Sequence, residues 1–146
     1  MLTAHDTRSP MANAPDDTAR RAARAASAGS LVTIDGTLVV QLNAALTDSA
    51  VRALRDAVSN TLVEQRRRGV VVNLADVEVM DSYITRCIRD LAVSARLMGV
   101  PTVVCGVQPA VADTLVEMDL GFGDVRTALN IDRALRLLRL ARRAEE

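Results

Sequence analysis

The chain has 146 residues, 49% of them hydrophobic, and its 18 basic and 18 acidic side chains cancel to a formal net charge of zero. That length suits one domain with a core of its own, and the charge balance excludes a general electrostatic pull toward nucleic acid or anionic lipid. No apolar run approaches the roughly 20 residues of a membrane span, and the N-terminus lacks a signal-peptide hydrophobic core. Cys87 and Cys105 lie in apolar runs without metal-ligand spacing, so a soluble, cytoplasmic protein with reduced thiols is expected. With Tyr83 and Phe122 the only aromatic residues, the core has to be built from Val, Leu, Ile, Ala and Met.

Residues 1–29 carry Pro10, Pro15 and mostly small or polar side chains. Such a segment buries too little surface to offset its ordering entropy and is expected to be a disordered tail, within which Thr18 to Ala28 can form an Ala/Arg-rich helix. His5, the only histidine, sits there and reads as a bystander. Residues 30–146 are expected to form a single domain. Leu31–Ile34 and Thr37–Leu42 read as two strands joined by Asp35-Gly36, a strong hairpin signal. Thr47-Asp48 offers the N-cap of a helix running to about Arg68, with Val51, Leu54, Val58, Leu62 and Val63 on its inner face and Gly69 as its stop. Arg66-Arg67-Arg68 then matches the negative pole of the helix dipole and reads as a solvated helix end. Val70–Leu74, a continuous β-branched run, predicts a strand buried on both faces.

From Asp81-Ser82 to near Met98-Gly99, Ile84, Cys87, Ile88, Leu91, Ala92 and Ala95 recur at helical spacing. Pro101–Cys105 predicts another strand, followed by Gly106. Gln108-Pro109 opens a third helix, with Pro at the first-turn position, where its missing N–H does no harm, and Val111, Leu115, Val116 and Met118 facing inward. Gly121-Phe-Gly123 breaks the chain, and Val125–Leu129 fits a short edge strand. A last helix starts at Asn130 or Asp132 and buries Ala134, Leu135, Leu137, Leu138 and Ala141. Its Arg133, Arg136, Arg139, Arg142 and Arg143 are read as a solvated face. The order β-β-α-β-α-β-α-β-α implies helices packed on a mixed sheet with right-handed crossovers.

The strand-to-helix junction at Asp81-Ser82 stands out. A junction of this kind presents its residues to solvent, with unpaired backbone N–H groups behind them. A phosphate on Ser82 would add roughly −1.5 to −2 charges where the helix dipole tolerates them, although Ser82 also fits a plain helix cap. Catalytic constellations fail: there is no Gly-rich phosphate loop, no Cys/His cluster, and no histidine near Ser82 to act as its base. Asp81 beside Ser82 is poorly placed as a base, and Asp76, Glu78 and Asp81 read as a solvated acidic loop sooner than as a metal site. The residues therefore argue against an enzyme, and no cofactor is expected.

Met80-Asp81-Ser82-Tyr83-Ile84, Arg96-Leu-Met-Gly99 and Val107-Gln-Pro-Ala-Val-Ala-Asp-Thr-Leu-Val-Glu117 make the stretch from about Leu31 to Leu140 resemble the STAS-domain family, and within it the RsbS type, the stressosome scaffold and antagonist. The resemblance implies an α/β anti-sigma-factor-antagonist-like fold, a mixed sheet packed against about four helices. It implies that Ser82 is phosphorylated by an RsbT-type serine kinase, which the unmodified scaffold holds and the modified one releases, leading through a phosphatase to a sigma-factor stress response. Asp81, Ser82 and Tyr83 would contact the partner, and Thr114 falls where RsbR-type relatives carry a second phosphorylatable threonine. RsbR-type STAS paralogues would join it in a large hollow assembly. Sporulation-type anti-anti-sigma factors read Asp-Ser-Ser/Thr-Gly at the switch; here Tyr83-Ile84 follow, and Gln108-Pro109 replaces the Arg-Pro of RsbR-type relatives. Tyr83 stands where phenylalanine is usual, and the N-terminal segment is longer than in RsbS. A nucleotide- or small-ligand-sensing STAS module and a sporulation-type factor are the alternatives.

Overall fold

The computed structural model describes residues 17–145. Residues 17–28 form helix α1, and strands β1 (Gly29–Ile34) and β2 (Thr37–Leu42) follow as an antiparallel hairpin. Asp35 and Gly36 turn it with φ of 50° and 77°, the left-handed pair that a two-residue hairpin loop demands. Helix α2 (Asp48–Glu64) leads to β3 (Gly69–Asn73), α3 (Ser82–Leu97) to β4 (Thr102–Cys105), α4 (Pro109–Glu117) to β5 (Arg126–Ala128), and α5 (Ile131–Glu145) closes the chain. The sheet runs β1-β2-β3-β4-β5, with β2 to β5 parallel and β5 at an edge.

Central β3 is buried along its whole length, as its unbroken apolar run requires. Alternate residues serve two cores. Val70 and Val72 join Val40 and Val104 against α2 and α3, while Val71 joins Val39, Val103, Ala134 and Leu138 beneath α5. Each fully buried valine contributes roughly 1.5–3 kcal/mol.

Among the described residues the fold has five helices where about four were expected, because the Thr18 to Ala28 stretch forms the Ala/Arg-rich helix that its composition allows. Ala25 and Ala28 of α1 are buried in the larger core, and Asn43 fixes the end of α1 through its backbone N to Ala28 O (2.8 Å) and its Nδ2 to Ser27 O (2.8 Å). His5, Pro10 and Pro15 lie outside the described residues.

Two further helices depart from expectation. Helix α2 ends at Glu64, not near Arg68: Gln65 is already extended, and the chain needs extended residues to bring Arg68 N onto Gly36 O (2.8 Å) and Gly69 opposite Thr37. Val63 is consequently 76% exposed, Arg66–Arg68 lie in a loop, and Gly69 starts a strand instead of stopping a helix. Helix α4 buries only Val111 and Leu115; Val116 and Met118 fall off that narrow stripe and face solvent. Both cysteines are free and buried, and burial pushes the Cys105 thiol up to about 11.

Candidate functional site

The site stands on the C-terminal ends of β2, β3 and β4. Buried Asn73 ends β3 and spends its amide on its neighbours: Nδ2 donates to Gln41 Oε1 (2.7 Å), and Oδ1 accepts from Ala75 N (3.1 Å). Gln41 Nε2 reaches Asp76 Oδ2 (3.4 Å), and Gln108 Nε2 donates to Ala75 O (2.7 Å). Gly106, at φ +75°, leaves room for this, since a Cβ there would lie 2.6 Å from Asn73 Oδ1. The loop after β3 is therefore held from β2 on one side and from the start of α4 on the other. Val77 and Met80 plug it into the core, which leaves Asp76, Glu78, Val79 and Asp81 outside.

At the end of that loop Asp81 is the N-cap of α3. Its Oδ1 accepts from Ile84 N (2.8 Å), and its carbonyl accepts from Thr85 Oγ1 (2.9 Å). Ser82 is the first helical residue, and it is exposed. Among the described residues its hydroxyl has no hydrogen-bond partner, so Asp81 carries the capping role that Ser82 also fitted. Tyr83 is half-buried against the larger core, and Arg52 of α2 donates from Nε to its hydroxyl (2.9 Å) with the guanidinium carbon 5.9 Å from the ring centroid. That hydrogen bond, first, holds the Arg52 guanidinium above its ordinary value.

Asp81, Ser82 and Tyr83 are thus brought together on one helix start. Thr114 is not part of it: it is exposed on α4, and its Oγ1 donates to Ala110 O (3.0 Å). Asp76, Glu78 and Asp81 form no group with metal-holding geometry, nor does any other His/Cys/Asp/Glu set among the described residues. Among those residues no helix is long and apolar enough to cross a membrane.

Sequence reasoning missed Val79, 76% exposed three residues before Ser82, and the Arg52–Tyr83 contact. No sequence signal separates Val79 from Val77, since the two are the same residue type two positions apart and only the path of the loop turns one inward and the other outward. Nothing in the sequence points across the 31 residues that separate the second pair.

Residues 30–134 match the family described as the STAS domain, and the chain belongs to that family. Among solved structures it is similar to a Ser-to-Glu variant of RsbS from Moorella thermoacetica, at 30% identity and a TM-score of 0.70, covering 79% of this chain and 97% of that one. It is similar as well to a chain from the molecular architecture of the stressosome, described as a signal integration and transduction hub, at 32% identity and a TM-score of 0.69, covering 78% and 99%. Among curated proteins it matches the RsbT co-antagonist protein RsbRD of Bacillus subtilis, 23% identical over 101 residues. That match takes in 69% of this chain and 36% of RsbRD, so the chain spans about a third of that relative's length.

Proposed function

We propose that this STAS domain is an RsbS-like stressosome subunit: a non-catalytic scaffold that holds an RsbT-type serine kinase and releases it once Ser82 is phosphorylated. The observation that carries the reading is the spare Ser82 hydroxyl. It is exposed and, among the described residues, without a partner, whereas Asp81 does the capping, so a kinase can take it without dismantling the helix. A phosphate at the first helical position lies at the positive pole of α3, where the fold tolerates it. The surface changes far more than the fold does. A patch with exposed Val79 and half-buried Tyr83 gains a dianion beside Asp76, Glu78 and Asp81, and a partner docked there has to desolvate or oppose that charge.

The similarity to RsbS and to the stressosome chain supports this assignment, and the match to RsbRD supports an assembly with RsbR-type paralogues in the cytoplasm. Residues 30–146 act as the single STAS unit, with α1 added at its edge. Thr114 is a second acceptor, reached only after its hydroxyl leaves Ala110 O.

The test is to incubate the full chain with ATP and an RsbT-type kinase, map the phosphate by mass spectrometry and follow kinase binding. Phosphate on Ser82, with binding weakened by about tenfold or more, equivalent to about 1.4 kcal/mol, is expected. Ser82→Asp is expected to bind weakly, and Ser82→Ala to bind and stay bound. An unmodified Ser82 accompanied by normal release would sink the proposal.

A further inference from the structure

At the opposite end of β3 from Ser82, two arginine sets that the sequence keeps 70 residues apart meet at one cavity. Each alone reads as a solvated surface; the fold puts them together through two glycines. Gly36 turns the hairpin at φ +77°, and because it has no Cβ the stem of Arg68 lies flat across it: a Cβ there would sit 3.1 Å from Arg68 Cδ and 3.3 Å from Nε. The Arg68 backbone N donates to Gly36 O (2.8 Å), so the loop carrying this side chain is pinned to the turn. Gly69, the next residue, lets α5 sit directly on the start of β3, since a Cβ there would be 2.8 Å from Leu138 Cδ1. Seating Leu138 this way carries Arg139 and Arg142 to the wall of a 390 Å³ cavity that Arg68 and Gly36 also line.

None of these three guanidiniums is in an ion pair among the described residues, whose ion pairs are Arg55–Asp56 and Arg96–Asp124. Asp35 is the one acidic group on the wall, which leaves the cavity with a surplus of two positive charges. The negative pole of α5 accounts for Arg142 in its last turn. It does not account for Arg68, which arrives from a different element. Three unpaired like charges on one wall raise its positive potential; solvent screens this at exposed Arg68 and Arg139, and a bound anion would neutralise it. Their planar forks match phosphate oxygens two at a time. Buried Leu138 gives the cavity an apolar floor, and its volume falls in the range of roughly 300–1,000 Å³ usual for small-ligand sites.

We propose that this cavity binds a small, freely diffusing anion bearing two or more linked phosphate groups. A single phosphate engages too few of the three forks, and the concave wall favours a compact ligand over a flat anionic surface. The site is independent of Ser82, so its failure leaves the kinase-switch reading untouched, and the reverse holds.

The test is titration calorimetry of the full chain with inorganic triphosphate. Inorganic phosphate, vesicles containing phosphatidylinositol bisphosphate, and a polyglutamate peptide are run alongside. Saturable one-to-one binding of triphosphate that weakens with added salt is expected. Replacing both Arg139→Gln and Arg142→Gln, or Arg68→Gln alone, is expected to weaken it by about tenfold or more. The pair Arg133→Gln and Arg136→Gln removes as much charge from the same helix outside the cavity, and is expected to change it by no more than about twofold. Circular dichroism and thermal midpoints confirm that each variant is folded, and Arg68→Gln decides the matter should the α5 pair fail that check. Absence of saturable triphosphate binding, equal losses in the two α5 pairs, or tighter binding of vesicles or polyglutamate would each overturn the proposal.

Discussion

Helices α3 and α4 begin alike, each taking over from a parallel strand at the same end of the sheet, yet their first turns do opposite things. At α3, Asp81 turns its carboxylate back onto Ile84 N, and the next residue is left with a free hydroxyl. At α4, Gln108 makes no side-chain cap; its amide reaches away to Ala75 O, and Pro109 fills the first helical position. One start leaves a residue exposed, while the other is a buttress holding the preceding loop in place. Local sequence type decides which is which: a short acidic side chain can fold back on its own helix, whereas a long amide reaches the neighbouring connection.

That contrast can be broken most severely from the buttress side. Gly106→Val is expected to destabilise the domain by about 3 kcal/mol, because it combines a left-handed backbone with a Cβ 2.6 Å from Asn73 Oδ1, and urea unfolding would measure it. A result close to wild type would mean that the loop does not depend on this support.

Alkaline pH probes the same strand end. Burial raises the folded-state value of Cys105 from about 9 to about 11, so the stabilisation is complete below pH 9 and is lost as pH climbs toward 11. A fall on the order of 1–2 kcal/mol across that window, absent in Cys105→Ala, is expected from unfolding curves measured at several pH values. Equal slopes in the two proteins would remove Cys105 as the cause.

On the α3 side the effects are smaller. Asp81→Ala is expected to cost about 1 kcal/mol through loss of the cap. Ser82→Ala, one residue on, is expected to stay within about 0.5 kcal/mol, because nothing among the described residues bonds to that hydroxyl. The difference between these neighbours, measured in one denaturant series, tests the division of labour at the α3 start; equal losses would assign Ser82 a capping role after all.

Much of the architecture was legible because periodicity reports burial directly. The β3 run, the Asp35-Gly36 turn and the α3 stripe each follow from spacing alone, and so does the position of Ser82 at a helix start. The end of α2 was not legible: Arg66–Arg68 are acceptable helix formers, and only the pairing of Arg68 and Gly69 with the hairpin forces them out of the helix. The outward faces of Val116 and Met118 were hidden for a related reason, since Val116 adjoins buried Leu115 and Met118 is the C-cap, and tertiary packing alone confines the buried stripe of α4 to Val111 and Leu115. Which of Asp81 and Ser82 caps α3 depends on a one-residue difference in where the helix starts, which apolar spacing does not fix. The Arg52–Tyr83 pair and the meeting of Arg68 with Arg139 and Arg142 are tertiary facts without a local signature.

Tyr83 has one consequence for anyone handling this protein in solution. The chain has no tryptophan and no second tyrosine, so nearly all of its near-ultraviolet absorbance and its intrinsic emission come from the phenol ring beside Ser82. With Arg52 bonded to that hydroxyl, any event that pulls the guanidinium away or shields the ring is expected to change the spectrum. The protein thus carries a built-in optical reporter at the start of α3, so the partner binding proposed for Ser82 is testable without attaching a dye.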